Sequence, residues 1–173
     1  MVCETGFFQG VSAHLWLSAS TRTRLHTFDL RFPLPAVDAL HAAFGTDRLH
    51  VHEGPTWKTL HPSRFRPEQP CEIVSIDGSH EGWGPYDDLV WLRPHTRCGA
   101  TVLFDDTFDD RATNKSLDNE PSHLWSFYNA CTRSYWRAVR EGLLRHVGCT
   151  RLGWRWRWGR FPKGYCEART VCT

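Results

Sequence analysis

Two spacings of apolar residues alternate along the chain: short continuous or every-other runs, as in strands, and positions recurring every three to four residues, as in helices. VCE at 2–4 reads as the end of a buried strand, and GVSAHLWLSAS at 10–20 places Val11, His14, Leu15 and Ala19 near helical spacing. LHTFDL (25–30) predicts a second strand, and PAVDALHAAF (35–44) a helix with proline in its first turn and Gly45 after its end. RLHVHE (48–53) alternates as a strand does. CEIVSIDGSH (71–80) is a β-branched run ending in a polar turn, and ATVLFDDT (100–107) repeats that design. Between them YDDLVWLRP predicts a helix stopped by Pro94. The longest helical pattern covers 121–146, and VGCTRL and KGYCEARTV follow as strand-like segments flanking WRWRWGRFP.

Five βα units and two terminal strands predict an α/β fold: a Rossmann-like three-layer sandwich around a mostly parallel seven-stranded sheet with an antiparallel terminal strand. The 173 residues suffice for one domain, 1–173, and 40% hydrophobic with 23% charged residues is the composition of a folded chain. A formal net charge of +2 announces neither a nucleic-acid nor a membrane partner, although acids concentrate between 77 and 120 and bases after 133. No apolar run approaches the length of a membrane helix, and the N-terminus lacks the basic and apolar pattern of a leader. Seven cysteines without a CxxC pair read as reduced thiols, so the expected location is cytoplasmic.

In folds of this class ligands bind where the parallel strands end. Here those ends carry Glu4, Asp29, Glu53, Asp77, Asp105 and Asp106, and all are acidic. After the first strand comes ETGFFQG, whose Gly6 and Gly10 let backbone approach a ligand while the next helix presents its N-terminal N–H groups. A dinucleotide fingerprint would need glycine where Phe8 and Val11 stand, which argues against a pyrophosphate cofactor. A plain glycine turn would account for the loop alone. Asp29 at the end of the second strand, where a carboxylate can accept both ribose hydroxyls, points instead to a nucleoside-containing cofactor.

VCETGFFQGVSAHLWL, HTFDL, RLHVHEGPTWKTL, CEIVSIDGSH and TVLFDDT, in this order, resemble successive blocks of class I S-adenosylmethionine-dependent methyltransferases. The likeness is to small-molecule O-methyltransferases, including those acting on macrolide sugars, and runs from residue 2 to about 170. It implies that Glu4, Gly6, Phe7 and Gly10 surround the amino-acid end of S-adenosylmethionine and that Asp29 holds its ribose. Two features depart from the family. Pro55 follows Gly54 where relatives commonly have an acid for the adenine region, leaving Glu53 or the face of Trp57 to substitute. The family usually has one or more helices before the first strand and here only Met1 precedes it, so the expectation is either a fragment or an open site, which a partner chain in a homo-oligomer could cover.

IDGSH and FDDT bring Asp77, His80, Asp105 and Asp106 to the ends of neighbouring strands. Three converging carboxylates repel unless a hard cation such as Mg²⁺ shares their oxygens. The resemblance to metal-dependent O-methyltransferases implies the same: the cation would clamp a substrate hydroxyl and lower its pKa, and His80 could take the proton. Asp77 and Asp105 can alternatively cap helix N-termini. Asp87, Asp88, Asp109 and Asp110 read as solvated face or loop. In the tail, Trp154, Trp156 and Trp158 alternate with Arg155 and Arg157, a pattern able to stack on bases, but a hairpin between the last two strands accounts for it and the near-zero net charge and acidic site argue against a nucleic-acid substrate. The expected activity is methyl transfer to a hydroxyl of a small molecule. The alternative is an impaired methyltransferase-fold remnant serving as a binding domain.

Overall fold

A computed structural model of the chain describes residues 1–107, 126–152, 155–156, 159–160 and 163–172. Its elements in order are β1 (Val2–Thr5), α1 (Val11–Ala19), β2 (Leu25–Asp29), α2 (Leu34–Phe44), β3 (Leu49–Glu53), α3 (Thr56–Thr59), β4 (Cys71–Ile76), α4 (Gly84–Leu92), β5 (Thr96–Asp105), α5 (Ser126–Arg140), β6 (Leu144–Leu152), β7 (Arg155–Trp156), β8 (Gly159–Arg160) and β9 (Lys163–Thr170). A 3₁₀ turn, Arg93–His95, joins α4 to β5.

Seven strands form one sheet in the order β3-β2-β1-β4-β5-β9-β6. Every pair from β3 to β5 is parallel, and β9 lies antiparallel between β5 and β6. The chain reverses direction across the sheet between β1 and β4, the switch point at which α/β sheets open a crevice.

The period-two pattern sorts side chains to two cores. Val2, Leu25 and Leu49 pack with Phe7, Ala13, Leu17, Val37 and Leu40 beneath α1 and α2. Cys3, Phe28, Val74, Ile76, Val102 and Phe104 face the other way, against Leu89, Leu92, Tyr135 and Ala138 of α4 and α5. Adjacent residues such as Val2 and Cys3 therefore serve opposite layers, as alternation along a strand requires.

Local chemistry sets the ends. The proline in the first turn of α2 fits a position that needs no N–H donor, and Gly45 closes the helix at φ +90° with its N–H on the His41 carbonyl (2.8 Å). The predicted helix over 121–146 is shorter: its described part runs from Ser126 to Arg140, and Leu144–His146 belong to β6. Gly142 at φ +72° stops it, its N–H on the Val139 carbonyl (3.1 Å) and that of Leu143 on the Ala138 carbonyl (2.9 Å). That is a Schellman ending, and it overrides the apolar period that continues through Leu143 and Leu144.

Sheet register also overturns the expectation of reduced thiols. Cys149 and Cys166 are directly opposite on β6 and β9, and they are bonded, as are Cys3 with Cys71 and Cys98 with Cys172. Cys131, buried in α5, is the free cysteine. No helix among the described residues is long and apolar enough to cross a membrane. In the tail, β7 and β8 pair antiparallel, the expected hairpin arrangement. Trp154, Arg157 and Trp158, like Asp109 and Asp110, lie outside the described residues.

Candidate active site

A cavity of about 820 Å³ opens at the carboxyl ends of β1, β2, β4 and β5. The glycine loop, Asp29 and the Gly54–Thr56 turn form one side, and Asp77, His80 and Asp106 the other.

Gly6 is the hinge of this geometry. It has φ +89°, and a Cβ there would land on the Asp77 carbonyl. The ends of β1 and β4 are drawn together by the Asp77 N–H on the Thr5 carbonyl (2.9 Å), so only glycine fits between them. Gly10 caps α1 in the left-handed region, φ +77°, where a Cβ would stand 2.8 Å from Phe7 Cζ.

The tandem phenylalanines take opposite roles. The Phe7 side chain is buried against Phe32, with ring centroids 5.0 Å apart, so its expected contact with a ligand is not made by the ring. Phe8, at φ +47° and 80% exposed, is the one that lines the cavity. Asp29 Oδ2 accepts the N–H groups of Phe7 (2.7 Å) and Phe8 (3.2 Å), which fastens the loop to the end of β2. Its Oδ1 has only a long contact with the Arg31 N–H (3.4 Å), leaving that oxygen for a ligand hydroxyl at the cavity wall.

Glu4 lies under the loop rather than in the cavity lining, 1% exposed. Burial pushes its carboxyl up to about 7, against the opposing pull of Thr27, Ser12 and Trp16, none of which closes a hydrogen bond of good geometry. Glu53 is exposed, outside the lining, and accepts the Phe32 N–H at 3.3 Å. Trp57 is 61% exposed and also outside it. Gly54, Pro55 and Thr56 form that wall, with Pro55 as the N-cap of α3 and unable to donate.

Sequence reading missed Asp88. It is 3% exposed, lines the cavity, and accepts the Thr56 hydroxyl at 2.7 Å. Its Oδ2 and Thr5 Oγ1, both buried and both on residues lining the cavity, lie beside each other at Gly78 without closing a hydrogen bond of good geometry. Buried polar atoms in that state invite a ligand or water. Helical spacing could have found Asp88, because it shares the buried stripe of α4 with Pro85, Leu89 and Leu92 while Asp87 faces out.

On the opposite wall His80 Nε2 stands 3.2 Å from Asp106 Oδ2 and 3.5 Å from Asp77 Oδ1. The Asp106 carboxylate beside it, then Cys131, pushes the imidazole up to about 10 despite burial, so it is a cation at neutral pH. A general base must be neutral, and this shift opposes the base role expected of His80. The imidazolium supplies the positive charge that the paired carboxylates require. Asp105, on β5 opposite Tyr165, is not in the lining. Among the described residues no three His, Cys, Asp or Glu side chains are arranged to hold a metal ion, so the expected Mg²⁺ triad of Asp77, Asp105 and Asp106 does not fit.

Seven strands in this order, with the cavity at the switch point, define the fold of class I S-adenosylmethionine-dependent methyltransferases. The sequence matches the methyltransferase domain family over residues 3–107, and the chain belongs to that family. Among solved structures it is similar to the O-methyltransferase TomG of Streptomyces achromogenes, in complex with S-adenosylmethionine, at 20% identity and TM-score 0.70, covering 99% of this chain and 73% of that one. An O-methyltransferase from Bacillus cereus in complex with SAH matches at 16% identity and TM-score 0.69, covering 98% and 73%. The N-methyltransferase NodS of Bradyrhizobium japonicum also matches, at 12% identity and TM-score 0.63, covering 98% and 85%, so the fold alone does not select the acceptor atom. No curated protein sequence matches.

Proposed function

We propose that this chain transfers a methyl group from S-adenosylmethionine to a hydroxyl of a small molecule. One observation carries the reading: a single cavity has a ribose-side carboxylate, Asp29, on one wall and the Asp77–His80–Asp106 cluster on the other. The O-methyltransferase titles of TomG and the Bacillus cereus protein support it.

The buried oxygens of Thr5 and Asp88, neighbours beside Gly78, and the cradle at Gly6 fit a polar cofactor. Asp29 would accept from its ribose, and the loop after Gly6 would follow its amino-acid end. Bound there, the cofactor supplies an electrophilic methyl on a sulfonium.

The remaining task of the protein is to hold an acceptor oxygen in line and take its proton. Asp77 and Asp106 are the proton acceptors in reach, with His80 holding both carboxylates in place from between them.

Isotope-labelled S-adenosylmethionine incubated with a panel of hydroxylated acceptors tests the reading. Asp106→Asn is expected to lower kcat roughly 100-fold while leaving cofactor affinity unchanged. A chelator is expected to leave the rate unchanged. An Asp106→Asn rate equal to wild type would remove the cluster from the chemistry. The alternative, a non-catalytic binding domain, is favoured by Pro55, and it predicts cofactor binding without transfer to any acceptor.

A further inference from the structure

A second cavity, about 580 Å³, lies at the opposite end of the sheet, between α4, the 3₁₀ turn, the start of β5 and the end of β9. Among the described residues its lining contains no carboxylate. Val90, Pro94, Leu143 and Val171 make it apolar, and Arg93 and Arg97 make it cationic.

The two arginines differ. Arg97 Nη1 is matched by Glu72 Oε1 at 2.9 Å, and Glu72 also takes the terminal ammonium of Met1 at 3.3 Å. The Arg93 side chain has no hydrogen bond or ion pair among the described residues, and its Nη2 is buried. Nearby acid is already committed, since Glu141 accepts from Tyr86 and from Arg137 Nε (2.8 Å). A guanidinium drawn from water without a partner is costly, and an incoming anion offsets that cost.

The walls are built rather than loose. Thr170 Oγ1 accepts the Ala100 N–H (2.9 Å) and donates to the Arg97 carbonyl (2.8 Å), and the Val171 N–H bonds the Leu143 carbonyl (3.0 Å). Cys98 is bonded to Cys172 across the same corner.

We propose that this cavity binds a small organic anion, its negative group on Arg93 and its apolar body against Val90, Leu143 and Val171. The site is separate from the methyl-transfer cavity and does not depend on that reading.

NMR titration of the whole chain with octanoate, octan-1-ol and inorganic phosphate tests it, followed at the valine and leucine methyls. Octanoate is expected to shift the methyls of Val90, Leu143 and Val171 saturably, and to bind about tenfold more weakly to Arg93→Gln. Arg93→Lys is expected to restore part of the loss, and octan-1-ol to bind wild type and Arg93→Gln equally. Octanoate binding that ignores Arg93→Gln, no saturable shift in the folded wild type, or phosphate binding as tightly as octanoate would each overturn the proposal. Should Arg93→Gln not fold, tighter binding of octanoate than of octan-1-ol to wild type supports the proposal, and equal binding overturns it.

Discussion

Alanine at position 6 is expected to abolish cofactor binding and to destabilise the chain by about 3 kcal/mol or more. Two effects add. The residue sits at φ +89°, where an L side chain is strained, and its Cβ would occupy the place of the Asp77 carbonyl. Relief requires β1 and β4 to part at the crevice, which moves Asp77 and with it the His80 cluster. Affinity for S-adenosylmethionine is expected to fall at least ~100-fold. Gly82 provides the control: its φ is +54° but no atom lies within 4 Å of the added Cβ, so Gly82→Ala should cost only the backbone strain of about 1 kcal/mol. Similar melting temperatures for the two variants would show that close approach at Gly6 is not what shapes the site.

Glu4→Gln is expected to stabilise the cofactor-free chain at pH 8, by up to roughly 3 kcal/mol. Burial holds the folded carboxyl near 7, whereas the unfolded one titrates near 4.5. Between those values the folded state binds more protons, so this group's contribution weakens as pH rises through the window and stays lost above it. The amide is neutral throughout and removes that slope.

Histidines 26 and 52 act in the opposite sense. Burial, then the neighbouring histidines, lowers them to about 3 and about 4, so the unfolded state binds more protons below 6.5 and stability falls with acid. Their contact, His26 Nδ1 to His52 Nε2 at 3.0 Å beside the His26–His50 stack, needs at least one neutral ring to accept and is lost when both are protonated. Denaturant melts from pH 4 to 8 should therefore give a dome in wild type. Glu4→Gln should lift the profile above about pH 5, and leave in place the fall above 6.5 that His80, raised to about 10, contributes. A Glu4→Gln profile that matches wild type between pH 5 and 8 would mean that Glu4 is ionised and satisfied in the folded chain.

The sheet and its ligand end were legible because both follow from local pattern. Each β-branched run ended in an acid, and a parallel sheet gathers strand ends on one edge. Features set by the third dimension were not. Phe7 and Phe8 are identical in composition, and the loop conformation alone turns one inward and the other into the cavity. Asp105 and Asp106 are likewise adjacent, but Asp106 leaves the strand at φ +50° and reaches His80, while Asp105 stays in register opposite Tyr165. Cysteine pairing depends on which strands become neighbours, and no spacing along the chain reveals that β9 inserts between β5 and β6. Proton state was equally hidden, since the shift at His80 comes from Asp106 and Cys131, far from it in sequence.

Calorimetric titration of the chain with S-adenosylmethionine, repeated on Asp29→Ala, tests the central claim most directly. Micromolar binding in the parent, lost in the variant while its far-ultraviolet dichroism stays folded, is the predicted result. No heat from a folded parent chain, or equal affinity in both, would contradict the assignment of this cavity as the cofactor site.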